Sequence, residues 1–206
     1  MSARDEALPA TSSGLGDDGW LGDAQRIESP NFDDRPAGET VSLIVVHAIS
    51  LPPGQFGSDD ISRLFTNTLD PRAHPYFVAI STVRVSAHFL IRRDGSLLQF
   101  VSCRRRAWHA GVSCWDGRSR CNDFSIGIEL EGCDEFPFAD AQYLRLAALI
   151  ESLRKAYPIA AVVGHSDIAP GRKTDPGPCF DWRRVAGVIN AKDDADVVLF
   201  ACRPGL

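Results

Sequence analysis

One loop concentrates the side chains of this chain that are able to do chemistry. It reads Gly164-His165-Ser166-Asp167-Ile168-Ala169-Pro170-Gly171-Arg172-Lys173-Thr174-Asp175-Pro176-Gly177-Pro178. The apolar run 160–163 before it has the length and composition of a buried strand, and the Pro- and Gly-rich stretch after His165 that of a loop. An imidazole at a strand end and a carboxylate brought back by a loop are ligands that zinc accepts. A second histidine is required, and His47 meets the requirement. It sits at the C-terminal end of 42–49, where Leu43, Ile44, Val45 and Val46 suit a strand buried on both faces. Parallel central strands place their ends on one edge of a sheet, where open α/β sheets bind ligands. His47, His165 and Asp175 would leave a fourth tetrahedral position for water, the pattern of a catalytic rather than a structural zinc. Zinc in such a site lowers the pKa of water to about 7 and polarises a carbonyl.

Each of these residues also has an ordinary reading. A strand-end histidine is more often a hydrogen-bonded polar residue than a ligand. Of the others, His74 before Pro75 reads as a loop residue and His88 as one on a sheet face. His109, after Trp108 at a strand exit, could line a cleft. On composition the choice among five histidines stays open. In Ser125-Ile126-Gly127-Ile128-Glu129-Leu130-Glu131 the apolar residues alternate, so Glu129 and Glu131 share the face opposite Ile126, Ile128 and Leu130. Gly127 removes bulk there and permits close approach of a ligand or neighbouring backbone. A carboxylate on that face could serve as general base and return its proton to a leaving amine; otherwise the pair marks a solvated face. Lys173 lies between His165 and Asp175, so it must be near the metal if Asp175 is a ligand. There it would stabilise an oxyanion; otherwise it is an exposed loop lysine.

The elements that position these residues follow from periodicity and turn signals. Asp59 or Asp60 can open a short helix with Ile61, Leu64 and Phe65 on one face. Strands at 86–93 and 96–101 flank Asp94-Gly95, which reads as a hairpin with a type I′ turn. A strand at 124–131 precedes an amphipathic helix at 140–157, and a short helix follows at about 181–189. The result is a single α/β domain with a mixed central sheet flanked by helices. Its expected extent is 17–190, with a flexible extension at 1–16 and a tail at 191–206 that carries an apolar patch. At 206 residues and 44% hydrophobic content, one core is the simplest arrangement. A net charge of −5 argues against nucleic acid as a partner. There is no apolar stretch of about 18 residues and no apolar signal-peptide region, so a soluble cytoplasmic protein is expected, with no membrane association. The six cysteines show no C-x-x-C pair, which favours reduced thiols over a disulfide framework.

Assembled, these segments resemble the zinc-dependent N-acetylmuramoyl-L-alanine amidases, nearest to the cytoplasmic AmpD branch that acts on 1,6-anhydro-muramyl peptides in cell-wall recycling. The resemblance runs in order through Ser29-Pro30-Asn31-Phe32, Val45-Val46-His47, Ala73-His74-Pro75-Tyr76-Phe77, Arg106-Ala107-Trp108-His109-Ala110-Gly111, Ser125 to Gly132, and Lys173-Thr174-Asp175-Pro176-Gly177-Pro178. It covers about 17–190. It implies that His47, His165 and Asp175 hold Zn2+, that Glu129 rather than Glu131 is the catalytic acid, and that Lys173 is the transition-state cation. It also implies that Arg84, Arg120 and Trp108 contact a muropeptide substrate, and that the enzyme is a monomer. Arginine suits that task because its planar fork pairs carboxylates bidentately. The family commonly has Asn after its first histidine ligand, where this chain has Ala48, so a substrate contact is expected to be missing. Non-catalytic muropeptide-recognition relatives typically lose a metal ligand. All three are present here, which favours an enzyme.

Overall fold

The computed structural model describes residues 14–190 together with Val198 and Leu199. Its strands are β1 (Gln25–Arg26), β2 (Phe32–Asp34), β3 (Leu43–Ile49), β4 (Phe89–Ile91), β5 (Leu97–Gln99), β6 (Arg105–Ala107), β7 (Cys114–Trp115), β8 (Arg118–Ser119), β9 (Ser125–Glu131), β10 (Ala161–Gly164) and β11 (Val198–Leu199). The helices are α1 (Asp60–Phe65), α2 (Pro75–Ile80), α3 (Asp140–Ala156), α4 (His165–Ile168) and α5 (Trp182–Asn190), with a 3-10 turn at Cys121–Asp123. Seven strands form one mixed sheet in the order β1-β5-β4-β9-β3-β10-β11.

The middle of this sheet is parallel, and that decides where the chemistry lies. β3 pairs with β9 over seven residues, from Leu43↔Ser125 through His47↔Glu129 to Ile49↔Glu131. On its other side β3 pairs in parallel with β10, Gly164 opposite Val46. The period of two then sorts the side chains. Ile44, Val46, Ile126, Ile128 and Leu130 pack beneath α3, against Leu146, Leu149, Ile150 and Leu153. His47, Gly127, Glu129 and Glu131 occupy the opposite face. That face is buried as well: every residue of β9 is shielded from solvent. The two glutamates therefore do not mark a solvated surface. Fully burying each large aliphatic side chain contributes about 1.5–3 kcal/mol, so the two-sided cover of β3 and β9 makes them the rigid centre of the fold.

Several boundaries differ from the sequence-based expectation. The hairpin between β4 and β5 forms, but not with a type I′ turn. Arg92 and Ser96 close a three-residue loop, with the Gly95 amide donating to the Arg92 carbonyl and only Gly95 at positive φ. A type I turn followed by a left-handed glycine is the usual three-residue solution. Asp94 Oδ1 accepts the Ser96 amide and holds the turn in that form. His74, expected in a loop, is the N-cap of α2, and its Nδ1 accepts the Tyr76 amide. His165 does not start a loop but opens the single helical turn α4. At the N-terminal end, Leu15 bridges Leu21, so the fold begins before residue 17. The extension at 1–13 lies outside the described residues, as does most of the tail. From the tail, Val198 and Leu199 add a parallel edge strand to β10. Cys103, Cys114, Cys121, Cys133 and Cys179 are all unpaired.

Candidate metal centre and active-site cleft

The C-terminal ends of β3, β9 and β10 open into one cleft of about 650 Å³. β3 delivers His47, and β10 runs into α4 to deliver His165. The loop returns because the Ser166 amide donates to the Asp175 carbonyl at 2.9 Å. Gly164 permits this: a Cβ there would meet Pro176 Cδ at 2.8 Å. His47 Nδ1, His165 Nδ1 and Asp175 Oδ2 then form a triangle with edges of 3.0, 3.1 and 3.1 Å. The two histidines are buried and Asp175 partly so. Burial is also the main cause that pulls His47 down to about pKa 4, so its ring is neutral at physiological pH.

The donor set fits a divalent cation. His165 Nε2 lies 3.1 Å from the Ala110 carbonyl, which can only accept, so the ring proton sits on Nε2 and Nδ1 turns a lone pair toward the cluster. The triangle's edges are close to the edge of about 3.3 Å expected for tetrahedral ligands with bonds of 2.0–2.1 Å. Among the described residues, this is the group of histidine, cysteine and acidic side chains arranged to hold a metal ion.

Glu129 and Glu131 share a face but not an environment. Glu131 is spent on structure: Oε1 accepts the Gly57 amide at 2.6 Å and Oε2 the Arg93 amide at 3.2 Å, tying two loops to β9. Glu129 stands beside His47 in register and lines the cleft, with its buried Oε2 unpartnered. Burial, and then the Asp175 charge, push its carboxyl well above the usual range, against the pull of Lys173. Lys173, Trp108, Ala48 and His109 also line the cleft.

Arg84 and Arg120 are not among its lining residues. Arg84 is exposed between two that are, Val83 and Val85. Arg120 is exposed and pairs with Asp123 at 3.2 Å. Leu64, Phe65, Tyr76 and Ile80, from α1 and α2, build an apolar wall that sequence reasoning did not assign to the site. The periodicity of 61–65 showed an apolar face, but nothing in it said which cavity that face bounds. The carbonyl of Ala110 was likewise unreadable, since a backbone oxygen leaves no mark in a sequence.

A mixed sheet whose parallel strand ends bring two histidines, an aspartate and an unpartnered buried glutamate into one cleft defines a hydrolase with a metal-compatible centre. Residues 37–178 match the N-acetylmuramoyl-L-alanine amidase family. The chain belongs to that family and is an amide hydrolase. It is 59% identical over 174 residues to the 1,6-anhydro-N-acetylmuramyl-L-alanine amidase AmpD of Escherichia coli K12, covering 84% of this chain and 95% of that protein. It is 58% identical over 175 residues to AmpD of Citrobacter freundii, covering 84% and 94%. The crystal structure of a selenomethionine AmpD derivative matches with a TM-score of 0.82 at 59% identity, over 84% of this chain and 98% of that one. The amidase AmiD of Escherichia coli, solved with anhydro-N-acetylmuramic acid-L-Ala-D-γ-Glu-L-Lys, matches with a TM-score of 0.54 at 27% identity, over 77% and 65%. No helix among the described residues is long and apolar enough to cross a membrane.

Proposed function

We propose that this amidase hydrolyses the amide between the lactyl group of 1,6-anhydro-N-acetylmuramic acid and the L-Ala of the stem peptide, with zinc held by His47, His165 and Asp175. When bound, the ion supplies Lewis acidity toward the scissile carbonyl and lowers the pKa of water. Glu129 takes the proton of the attacking water and hands it to the departing L-Ala amine. Its raised proton affinity suits the second half of that task, because a carboxyl in this environment holds a proton long enough to deliver it. Lys173 offsets the charge that develops on the carbonyl oxygen. Trp108 and the wall from α1 and α2 give the sugar an apolar surface. Arg84 and Arg120 would meet substrate carboxylates from the rim, if side chains with that freedom swing inward.

The observation that carries this reading is the unpartnered, buried Oε2 of Glu129 beside His47 in the cleft. A buried acceptor without a partner costs about 1–3 kcal/mol, which a fold retains where function needs the group free. AmpD relatives at 58–59% identity support the choice of substrate by name. The test is mass spectrometry of the zinc-loaded protein with anhydro-muramyl-tripeptide, beside the muramyl counterpart and a chelated control. Release of free tripeptide that chelation abolishes is the expected result. In the same assay Glu129→Gln is expected to lose about 10²–10⁴-fold in turnover while still binding zinc. Full turnover by that variant would remove Glu129 from the mechanism.

A further inference from the structure

Behind the three candidate ligands lies a second layer of hydrogen bonds, and their directions can be deduced. The Ser125 hydroxyl donates to the Cys121 carbonyl at 2.6 Å. A hydroxyl has one proton, so toward His109 Nε2, 3.3 Å away, the same oxygen can only accept. His109 therefore carries its proton on Nε2 and a lone pair on Nδ1. His47 Nε2 lies 3.0 Å from that lone pair and must be the donor. One proton is then fixed on His47 Nε2, and its Nδ1 is left with a lone pair directed at His165 Nδ1 and Asp175 Oδ2.

We infer that His109, oriented by Ser125, is a positioning residue that fixes the tautomer and ring plane of His47 for metal binding. The inference rests on reading His47, His165 and Asp175 as the metal centre. It goes beyond that reading by making the strength of the site depend on a residue that is not a ligand.

Three further features point the same way. The His109 ring meets the His47 ring edge-on, with centroids 5.0 Å apart and planes at 84°, so it restrains rotation as well as proton position. The backbone beneath it is pinned, because Asn122 Oδ1 accepts the amides of His109 and Ala110 at 3.2 and 2.8 Å. The next residue serves the other ligand, since the Ala110 carbonyl accepts from His165 Nε2. One dipeptide, His109-Ala110, thus sets the proton on both imidazoles. With the opposite polarity, the Ser125 proton would leave Cys121 and a proton would stand on His47 Nδ1, inside the space a cation must occupy.

Zinc affinity, read by competition with a chromophoric chelator, and the two-bond proton–nitrogen spectrum of the imidazoles test this together. His109→Leu is expected to weaken zinc binding about 10–100-fold. His109→Asn, whose carboxamide oxygen can replace the Nδ1 acceptor, should recover most of that loss. Ser125→Ala leaves His109 in place and removes only the direction of the chain. It should weaken zinc several-fold, and in the metal-free protein His47 should shift from one tautomer to a mixture. A purely structural role would lower the melting temperature without moving the tautomer. Zinc affinity within twofold of the parent in both His109→Leu and Ser125→Ala would overturn the inference, as would an unprotonated His47 Nε2 in the parent. If His109→Leu does not fold, Ser125→Ala decides the matter. If the parent does not bind zinc, the metal centre itself is wrong and the positioning role falls with it.

Discussion

Gly127→Ala is the smallest change that probes how the sheet and the candidate metal centre depend on each other. Gly127 sits in the middle of β9, one of the two central strands, where glycine weakens a strand and so calls for a reason. The reason is the His109 ring, which lies flat against it: a Cβ would fall within 2.6 Å of His109 Cδ2 and Nδ1, and closer still to Cγ. Carbon atoms settle at roughly 3.5–4.0 Å, so the ring would have to retreat by about 1 Å. The 3.0 Å bond from His47 Nε2 to His109 Nδ1 would then stretch to about 4 Å and be lost. Overpacking of this kind costs about 1–3 kcal/mol, and a buried imidazole left without its partner a similar amount. The expected destabilisation is therefore about 2–6 kcal/mol. For a chain of this length that corresponds to a fall in melting temperature of roughly 5–20 °C. Zinc affinity should fall with it, about 10–100-fold. Denaturant titration of the zinc-free protein measures the first quantity and chelator competition the second. A double-mutant cycle with His109→Ser assigns the cause, since with the ring gone the added methyl should cost far less. Loss below 0.5 kcal/mol with unchanged zinc affinity would refute the packing argument, and equal costs in both backgrounds would place the strain elsewhere.

Glu131→Gln is expected to cost about 1–3 kcal/mol of stability, because its buried carboxylate accepts the Gly57 and Arg93 amides, while kcat stays within a few-fold; a collapse of kcat at unchanged stability would contradict the division of labour with Glu129. Acid should destabilise the metal-free protein from below pH 6.5. Burial, and then the Arg35 charge, pull His88 down to about pKa 3, so between pH 6.5 and 3 the unfolded chain binds the extra proton. Stability is whole above pH 6.5; below it His88 contributes a fall of up to about 1.4 kcal/mol per unit, and the buried His47, pulled down to about pKa 4, steepens the slope further. His88→Asn, which keeps an acceptor for the Gly127 amide, should flatten that slope, and an unchanged slope in urea titrations would clear His88 of the effect. Arg84→Ala and Arg120→Ala should raise KM for a muropeptide with little change in kcat if the rim arginines reach substrate carboxylates; unchanged KM in both would remove them from the binding site.

What could be read from the sequence follows from where the information is stored. The strands 42–49, 124–131 and 160–164 were legible because side-chain period and β-branching are written residue by residue, and their ends placed His47, Glu129 and His165 on one edge. The hairpin was legible in position but not in turn type, since Asp-Gly serves a three-residue loop as readily as a two-residue one. The helical turn α4 is not legible, because four residues carry no period. Alternation put Glu129 and Glu131 on one face but could not separate them: the separation comes from the amides of Gly57 and Arg93, which arrive from distant loops.

The same limit explains why His109 reads in the sequence only as a residue that could line a cleft. Its function depends on the direction of a proton chain that starts at a backbone oxygen, Cys121, and passes through a serine that looks like any strand residue. Gly127 is the visible trace of that arrangement: a glycine in the middle of a central strand announces that something approaches closely, although not what. An imidazole against that glycine converts a packing requirement into a chemical one. The space that a side chain at 127 would take is the space that allows His109 to hold the proton of His47, so the most central strand of the sheet and the most exacting bond of the site are secured by the same missing methyl group.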